Sequence, residues 1–152
     1  MPANINPIYS LTPNVGTVKI TQSSVLVRSD GSAVNAIGTD QFLAFTSGAN
    51  GSFIQRVRFN VVASAAAVNS VATTLRVFLS TVNTGTPTAA NTNLLTEISV
   101  PLISAANSTA ASSYYEIPLN IAVPASRYIL VSQHIAQTAN QSWQAIVFGG
   151  DY

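Results

Sequence analysis

The sequence contains no cysteine, which excludes disulfides, cysteine-based zinc sites and thiol catalysis. Charge is almost as scarce. Only 7% of the 152 residues are Asp, Glu, Lys or Arg, against roughly a quarter in an average soluble domain. Six basic and five acidic residues leave a formal charge of +1, too even a balance for a nucleic-acid-binding tail. No run approaches the ~20 apolar residues of a membrane helix. The opening Met1-Pro2-Ala3-Asn4-Ile5-Asn6-Pro7 has neither the basic start nor the apolar run of a signal peptide. A protein that does not rely on charge for solubility is expected to hold much of its surface against other proteins. Neither nucleic acid nor membrane is an expected partner.

What the chain has instead is apolar and small polar residues in strand-like periods. Hydrophobic residues make up 47%, enough for one domain with a real core. Gln41-Phe42-Leu43-Ala44-Phe45-Thr46 is a short apolar run, closed by the turn-rich Ser47 to Ser52. Beyond it, Phe53, Val57, Phe59 and Val61 share one parity, and Arg56, Arg58 and Asn60 share the other. The two-residue period of a strand sends the first set to a core and the guanidinium groups to the opposite face. Thr73 to Ser80 reads the same way, with Leu75, Val77 and Leu79 opposing Thr74, Arg76 and Phe78. Further strands are predicted at Val15–Thr21, Val25–Arg28, Leu94–Leu102, Tyr114–Ile121, Arg127–Ile135 and Ser142–Phe148. Pro118 favours an edge position or a bulge. The helix signal is confined to Ala63–Val71, short and uncapped, which a loop fits equally well. The expectation is a single all-β domain over residues 15–152 with about eight or nine short strands, the pattern of a sandwich or barrel.

Residues 1–14 read as an extended N-terminal arm. Pro2, Pro7 and Pro13 prevent a helix or a central strand, yet Ile5, Ile8, Tyr9 and Leu11 would be wasted on a solvated tail. An arm packed on its own domain or on a neighbouring subunit satisfies both facts.

Candidate chemistry is thin. His134, the single histidine, falls in the Arg127–Ile135 run. A hydrolase triad would need it beside a serine and a carboxylate such as Asp40 or Asp151, and no Gly-x-Ser-x-Gly elbow occurs. A hydrogen-bonded or interface histidine is the expectation. Glu97 and Glu116 could flank a glycosidic bond as a glycosidase pair, but they serve more naturally as partners for arginine. If the strands carrying Arg56, Arg58 and Arg76 pair, like charges meet. A carboxylate from Glu97, Glu116 or a neighbouring subunit should then answer them. Asp30-Gly31-Ser32 lacks the pattern of a calcium loop. Gly48-Ala49-Asn50-Gly51 precedes a strand and carries no lysine, unlike a phosphate-binding loop. No catalytic residue, metal or cofactor is expected. Trp143, Tyr114, Tyr115 and Tyr128 could stack on sugars, although packing is the commoner fate of such rings.

Four segments carry a resemblance in their order: Ala3 to Asn14, Phe45 to Ser52, Leu75-Arg76-Val77-Phe78-Leu79, and the closing Phe148-Gly149-Gly150-Asp151-Tyr152. From end to end the chain resembles small virion-associated proteins of tailed bacteriophages. The resemblance implies a non-enzymatic virion structural protein, a capsid decoration (cement) protein with a β-sandwich or jelly-roll fold. Such a protein would be assembled in the host cytoplasm and bind the major capsid protein on the capsid exterior. It would do so as a homo-oligomer, with a trimer matching quasi-threefold attachment points. No small-molecule ligand is expected. Interface candidates are Ile5, Pro7, Ile8, Tyr9 and Leu11 in the arm, the Arg56, Arg58 and Arg76 group, and the terminal Asp151 and Tyr152. The alternative is a phage tail or fibre module that binds host-surface glycans through exposed Asn, Gln, Tyr and Trp143.

Overall fold

Alternating burial marks about half of the extended segments of the computed structural model, which describes residues 10–21, 28–63, 69–103 and 114–152. Among the described residues eight strands form: β1 (Thr12–Ile20), β2 (Phe42–Thr46), β3 (Ser52–Ala63), β4 (Thr73–Ser80), β5 (Thr92–Val100), β6 (Tyr114–Val123), β7 (Tyr128–Gln133) and β8 (Gln141–Asp151). They make two antiparallel four-stranded sheets, β1-β8-β3-β6 (sheet 1) and β2-β7-β4-β5 (sheet 2). Only β4 and β5 are neighbours in both chain and sheet; every other connection crosses from one sheet to the other. No helix occurs among the described residues. The all-β, sandwich-like expectation therefore holds.

The core lies between the sheets. Sheet 1 contributes Ile54, Val57, Phe59, Val61, Trp143 and Val147, and sheet 2 contributes Phe45, Leu75, Val77, Ile129 and Val131. Trp143 and Tyr115 meet edge to face with centroids 5.9 Å apart, a favoured geometry for aromatic quadrupoles. The two inner faces each present one parity of their strands, as sheet packing requires.

Three details depart from the sequence reading. In β3 the parity is reset. Ile54, not Phe53, joins Val57, Phe59 and Val61 in the core, and Phe53 is only half-buried. The pairing with β8 shifts between Ile54 and Arg56, so two β3 residues answer one of β8. A bulge of this kind flips the side-chain alternation. Across the other edge of β3 the pairing with β6 shifts at the same level, where Asn120 takes a left-handed φ of 49°. The second departure is Phe78, which faces away from the main core yet is fully buried. With Leu130 it forms a second cluster on the outer face of sheet 2, against Ile37, Leu43, Leu94 and Tyr128. The 28–41 segment holds Ile37 there, tied down by Ile37 N–H to Gly85 O at 2.8 Å and Ala33 N–H to Pro87 O at 3.1 Å. Sheet 2 is thus covered on its outer face around Phe78 and Leu130 as well as on its inner face. Sheet 1 has no comparable cover among the described residues.

The third departure concerns the ends. β1 begins at Thr12, inside the span read as an arm, and pairs with Asp151. Pro13 is tolerated because β1 is an edge strand. Ile5, Pro7, Ile8 and Tyr9 lie outside the described residues, as do residues 25–27 of the strand predicted at Val25–Arg28. β7 stops at Gln133, so His134 sits just beyond the strand in which it was expected.

Closure on the β1 side depends on a glycine. A Cβ on Gly16 would stand 1.9 Å from the carbonyl oxygen of Ala44 in β2, so any side chain would force the two sheets apart there. Gly16→Ala is expected to be clearly destabilising in urea unfolding. Phe59→Ala should cost about 3–5 kcal/mol as a buried aromatic deletion. Leu11→Ala, at a position 83% exposed, should stay within about 0.5 kcal/mol of the parent.

Candidate functional site

In a chain this poor in charge, the placement of each carboxylate is informative. All five are held by donors of their own chain. Asp30 accepts from the Ser32 hydroxyl at 2.7 Å and its N–H at 2.9 Å, and these hydrogen bonds hold its carboxyl below the ordinary carboxylate value. Asp40, fully buried, accepts from the Asn35 N–H at 2.9 Å. Glu97 accepts from Arg76 Nε at 2.8 Å. Glu116 accepts from Arg58 Nε at 2.7 Å. Asp151 accepts from Asn14 Nδ2 at 3.0 Å and from the Ser52 hydroxyl at 2.5 Å.

The three arginines do not form one group. β3 and β4 follow one another in the chain but belong to different sheets, so Arg76 emerges on the opposite side of the molecule from Arg56 and Arg58. The strands do not pair, so the like-charge contact that pairing would bring does not arise. Each set has its own carboxylate. Arg76, almost fully buried, pairs with Glu97 across β4 and β5 and lies 3.3 Å from His134 Nδ1. Guanidinium has only donors, so Nδ1 is the acceptor in this contact. His134 is therefore engaged by an arginine and not by a serine and carboxylate. Glu97 and Glu116 stand on the outer faces of different sheets. Two sheets alone put roughly 10 Å between them, beyond the spacing of a glycosidase pair.

Arg56 and Arg58 are the centre of a built surface. Register aligns three rows across the outer face of sheet 1: Val15–Phe148–Arg56–Pro118, Thr17–Ile146–Arg58–Glu116, and Lys19–Gln144–Asn60–Tyr114. The Arg56 guanidinium lies 4.4 Å from the centroid of Phe148, and that of Arg58 lies 4.8 Å from Tyr114 and 5.5 Å from Phe148. Such stacking fixes the guanidinium planes while leaving their edges to solvent. Glu116 Oε1 serves both, at 3.4 Å from Arg56 Nε and 2.7 Å from Arg58 Nε. The arginine side chains remain 33% exposed, and Val15 and Tyr114 are 55% and 60% exposed. Sequence reasoning singles out Tyr114 only as a ring that could stack on sugars, and it misses Phe148, Ile146 and Val15 as site residues. Their parity was visible there, but which strands lie beside β3 was not.

The terminal pair has a structural use. Asp151 points inward at the end of β8 and joins β1 through Asn14 and β3 through Ser52. Asn14 Nδ2 also reaches Thr46 O of β2 at 3.3 Å, so this cluster staples the two sheets. Partial burial pushes the Asp151 carboxyl up, but the hydrogen bonds from Asn14, Ser52 and the Gly48 N–H together outweigh it and hold the group below its ordinary value of 3.8. Gly48 is required by the close approach, since a Cβ there would fall 2.6 Å from the Asp151 carboxyl carbon. Tyr152 is anchored by its N–H to Gly51 O at 3.1 Å. Leu11, the described part of the arm group, donates its N–H to Asp151 O at 2.7 Å with its side chain exposed.

Among the described residues no three His, Asp or Glu side chains come together as metal ligands. Comparison with protein-family models, curated proteins and solved structures returned no match.

The Asp151 cluster makes an acid-linked prediction. Its folded carboxyl titrates below the unfolded one, so its contribution is complete above the unfolded value and is lost as pH falls through the folded value. Asp151→Ala should cost about 2–3 kcal/mol at pH 7, the scale of hydrogen bonds to a charged group. In urea unfolding the gap between parent and variant should shrink below about pH 4 and close at lower pH. A pH-independent gap would place the effect in packing instead.

Proposed function

We propose that this chain is a non-enzymatic structural protein of a tailed-bacteriophage virion, a decoration protein that binds the major capsid protein on the capsid exterior. The observation that carries the reading is the outer face of sheet 1. It is broad, uncovered by the described residues, and centred on arginines stacked on aromatic rings. Arginine and aromatic residues are the ones enriched at protein interfaces and their energetic hot spots. The internal use of all five carboxylates supports binding over catalysis. The strand order, β1-β8-β3-β6 against β2-β7-β4-β5, supports a jelly roll, an eight-stranded fold found in viral capsid and lectin domains. The end-to-end resemblance to small phage virion proteins points the same way.

A decoration protein works by repetition. Each contact need be only of standard size, ~1,600 Å², because a shell held at many junctions gains from multivalency. Self-association as a trimer and an N-terminal arm ahead of β1 belong to this proposal.

The rival reading, a tail or fibre module for host-surface glycans, is favoured by a cleft of about 340 Å³ lined by Gln133, Gln137, Asn140, Gln141 and Ser142. Neutral amides and hydroxyls supply the paired donors and acceptors that sugar hydroxyls require. Quantitative mass spectrometry of purified virions separates the two. A copy number comparable to that of the major capsid protein is expected. A handful of copies would favour the tail reading, and absence from the particle would sink both.

A further inference from the structure

The few charges of this chain are unevenly distributed. The outer face of sheet 1 holds Lys19, Arg56 and Arg58 against the single carboxylate of Glu116. That is a local balance of +2, three of the six basic residues and one of the five acidic ones. The remainder of the chain carries three basic and four acidic residues. A second copy offering the same face would bring like charges together, which opposes association through it. A partner with carboxylates would meet no such barrier.

The two arginines are underused by their internal partner. Only Oε1 of Glu116 receives the ion-pair contacts of Arg56 and Arg58, whereas a guanidinium fork is best satisfied by two carboxylate oxygens. Arg56 Nη1 donates to Gln55 at 2.7 Å. Its Nε is shielded from solvent and has no hydrogen bond among the described residues. Phe148 and Tyr114 already hold both guanidinium groups in place, so little side-chain entropy remains to be lost on binding. Arg56 and Arg58 sit two residues apart on one strand, a repeat of roughly 6.6 Å. Carboxylates at alternate positions of an extended chain have that same repeat. Beside them, Val15, Phe53 and Phe148 line a shallow groove of about 320 Å³ that can receive an apolar side chain.

We propose that the outer face of sheet 1 docks an extended, acidic protein segment with carboxylates at alternate residues, which Arg56 and Arg58 receive in place of Glu116. Glu116 is then an internal stand-in that keeps the arginines paired until the partner arrives. The inference deepens the decoration-protein reading and rests on it for the identity of the partner, while the surface chemistry stands on the geometry. Nucleic acid is the poorer fit. Its affinity comes from neutralising many phosphates, and a carboxylate stands in the middle of this face.

The test uses the full chain and a ten-residue peptide of alternating Glu and Thr, followed by amide chemical shifts during titration at low and high salt. Saturable shifts should be confined to the outer face of sheet 1, at Val15, Phe53, Arg56, Arg58, Tyr114, Glu116, Ile146 and Phe148, and should weaken with salt. Arg56→Gln with Arg58→Gln should lower affinity by about tenfold or more. Glu116→Gln should tighten binding, because the internal competitor loses its charge; a purely structural Glu116 would give unchanged or weaker binding. Thermal unfolding of each variant identifies any loss that comes from misfolding. A Lys–Thr peptide should not bind. Shifts elsewhere, a dimer formed through this face in sedimentation, or equal binding of an oligothymidine would each overturn the proposal. The virion copy number tests the decoration reading separately, so either idea can fail alone.

Discussion

Burial of one parity of each strand between the two sheets is the constraint on which the rest of this structure depends. Once Val57, Phe59, Trp143 and Val147 are committed to the interior, their neighbours Arg56, Arg58, Ile146 and Phe148 have only the outer face left. The surface chemistry is thus a by-product of core packing. The bulge at Ile54 and Arg56 shows how tightly the two are coupled. Without the bulge, a regular alternation that buries Ile54 would turn Arg56 inward and Val57 outward. A guanidinium between the sheets would be costly unless paired there.

Scarcity of charge has a different meaning once partners are visible. A low-charge chain could be one whose surfaces are hidden, or one whose charges are used up internally. Here the carboxylates organise turns, pair strands and tie the sheets together, through Asp30 and Asp40 in the 28–41 segment, Glu97 and Glu116 across strands, and Asp151 at the staple. Internal use of the acids leaves a modest basic excess on sheet 1. The outer face of sheet 2, by contrast, is closed by Ile37 over Phe78 and Leu130. The described residues therefore cover sheet 2 around Phe78 and Leu130 and leave the outer face of sheet 1 uncovered.

The sheet staple around Asp151 extends the same logic to the chain end. A carboxylate joins the first and last strands of sheet 1 to the edge of sheet 2 through neutral donors. Neutral donors avoid the desolvation cost of a buried ion pair. Asp151 and Tyr152 are consequently fold-forming residues in the first place.

Much of the architecture was legible in the sequence because a two-residue period needs no tertiary information. The core roles of Val57, Phe59, Leu75 and Val77 follow from alternation alone. So do the outward placement of Arg56 and Arg58 and the edge character implied by Pro118. What alternation cannot supply is which strand lies beside which. Arg76 was grouped with Arg56 and Arg58 because β3 and β4 are consecutive, and the crossover between sheets separates them. Phe78 read as a solvent-side residue because the loop that covers it comes from residues 28–41, far away in the chain. Phe148 and Tyr114 join the arginines only because β8 and β6 flank β3. The sequence by itself determined the all-β class and the scarcity of chemistry-bearing groups, since these depend on local period and composition. Only the tertiary structure decided which charges meet and which face stays open, because strand pairing and sheet crossing are set by contacts between residues distant along the chain.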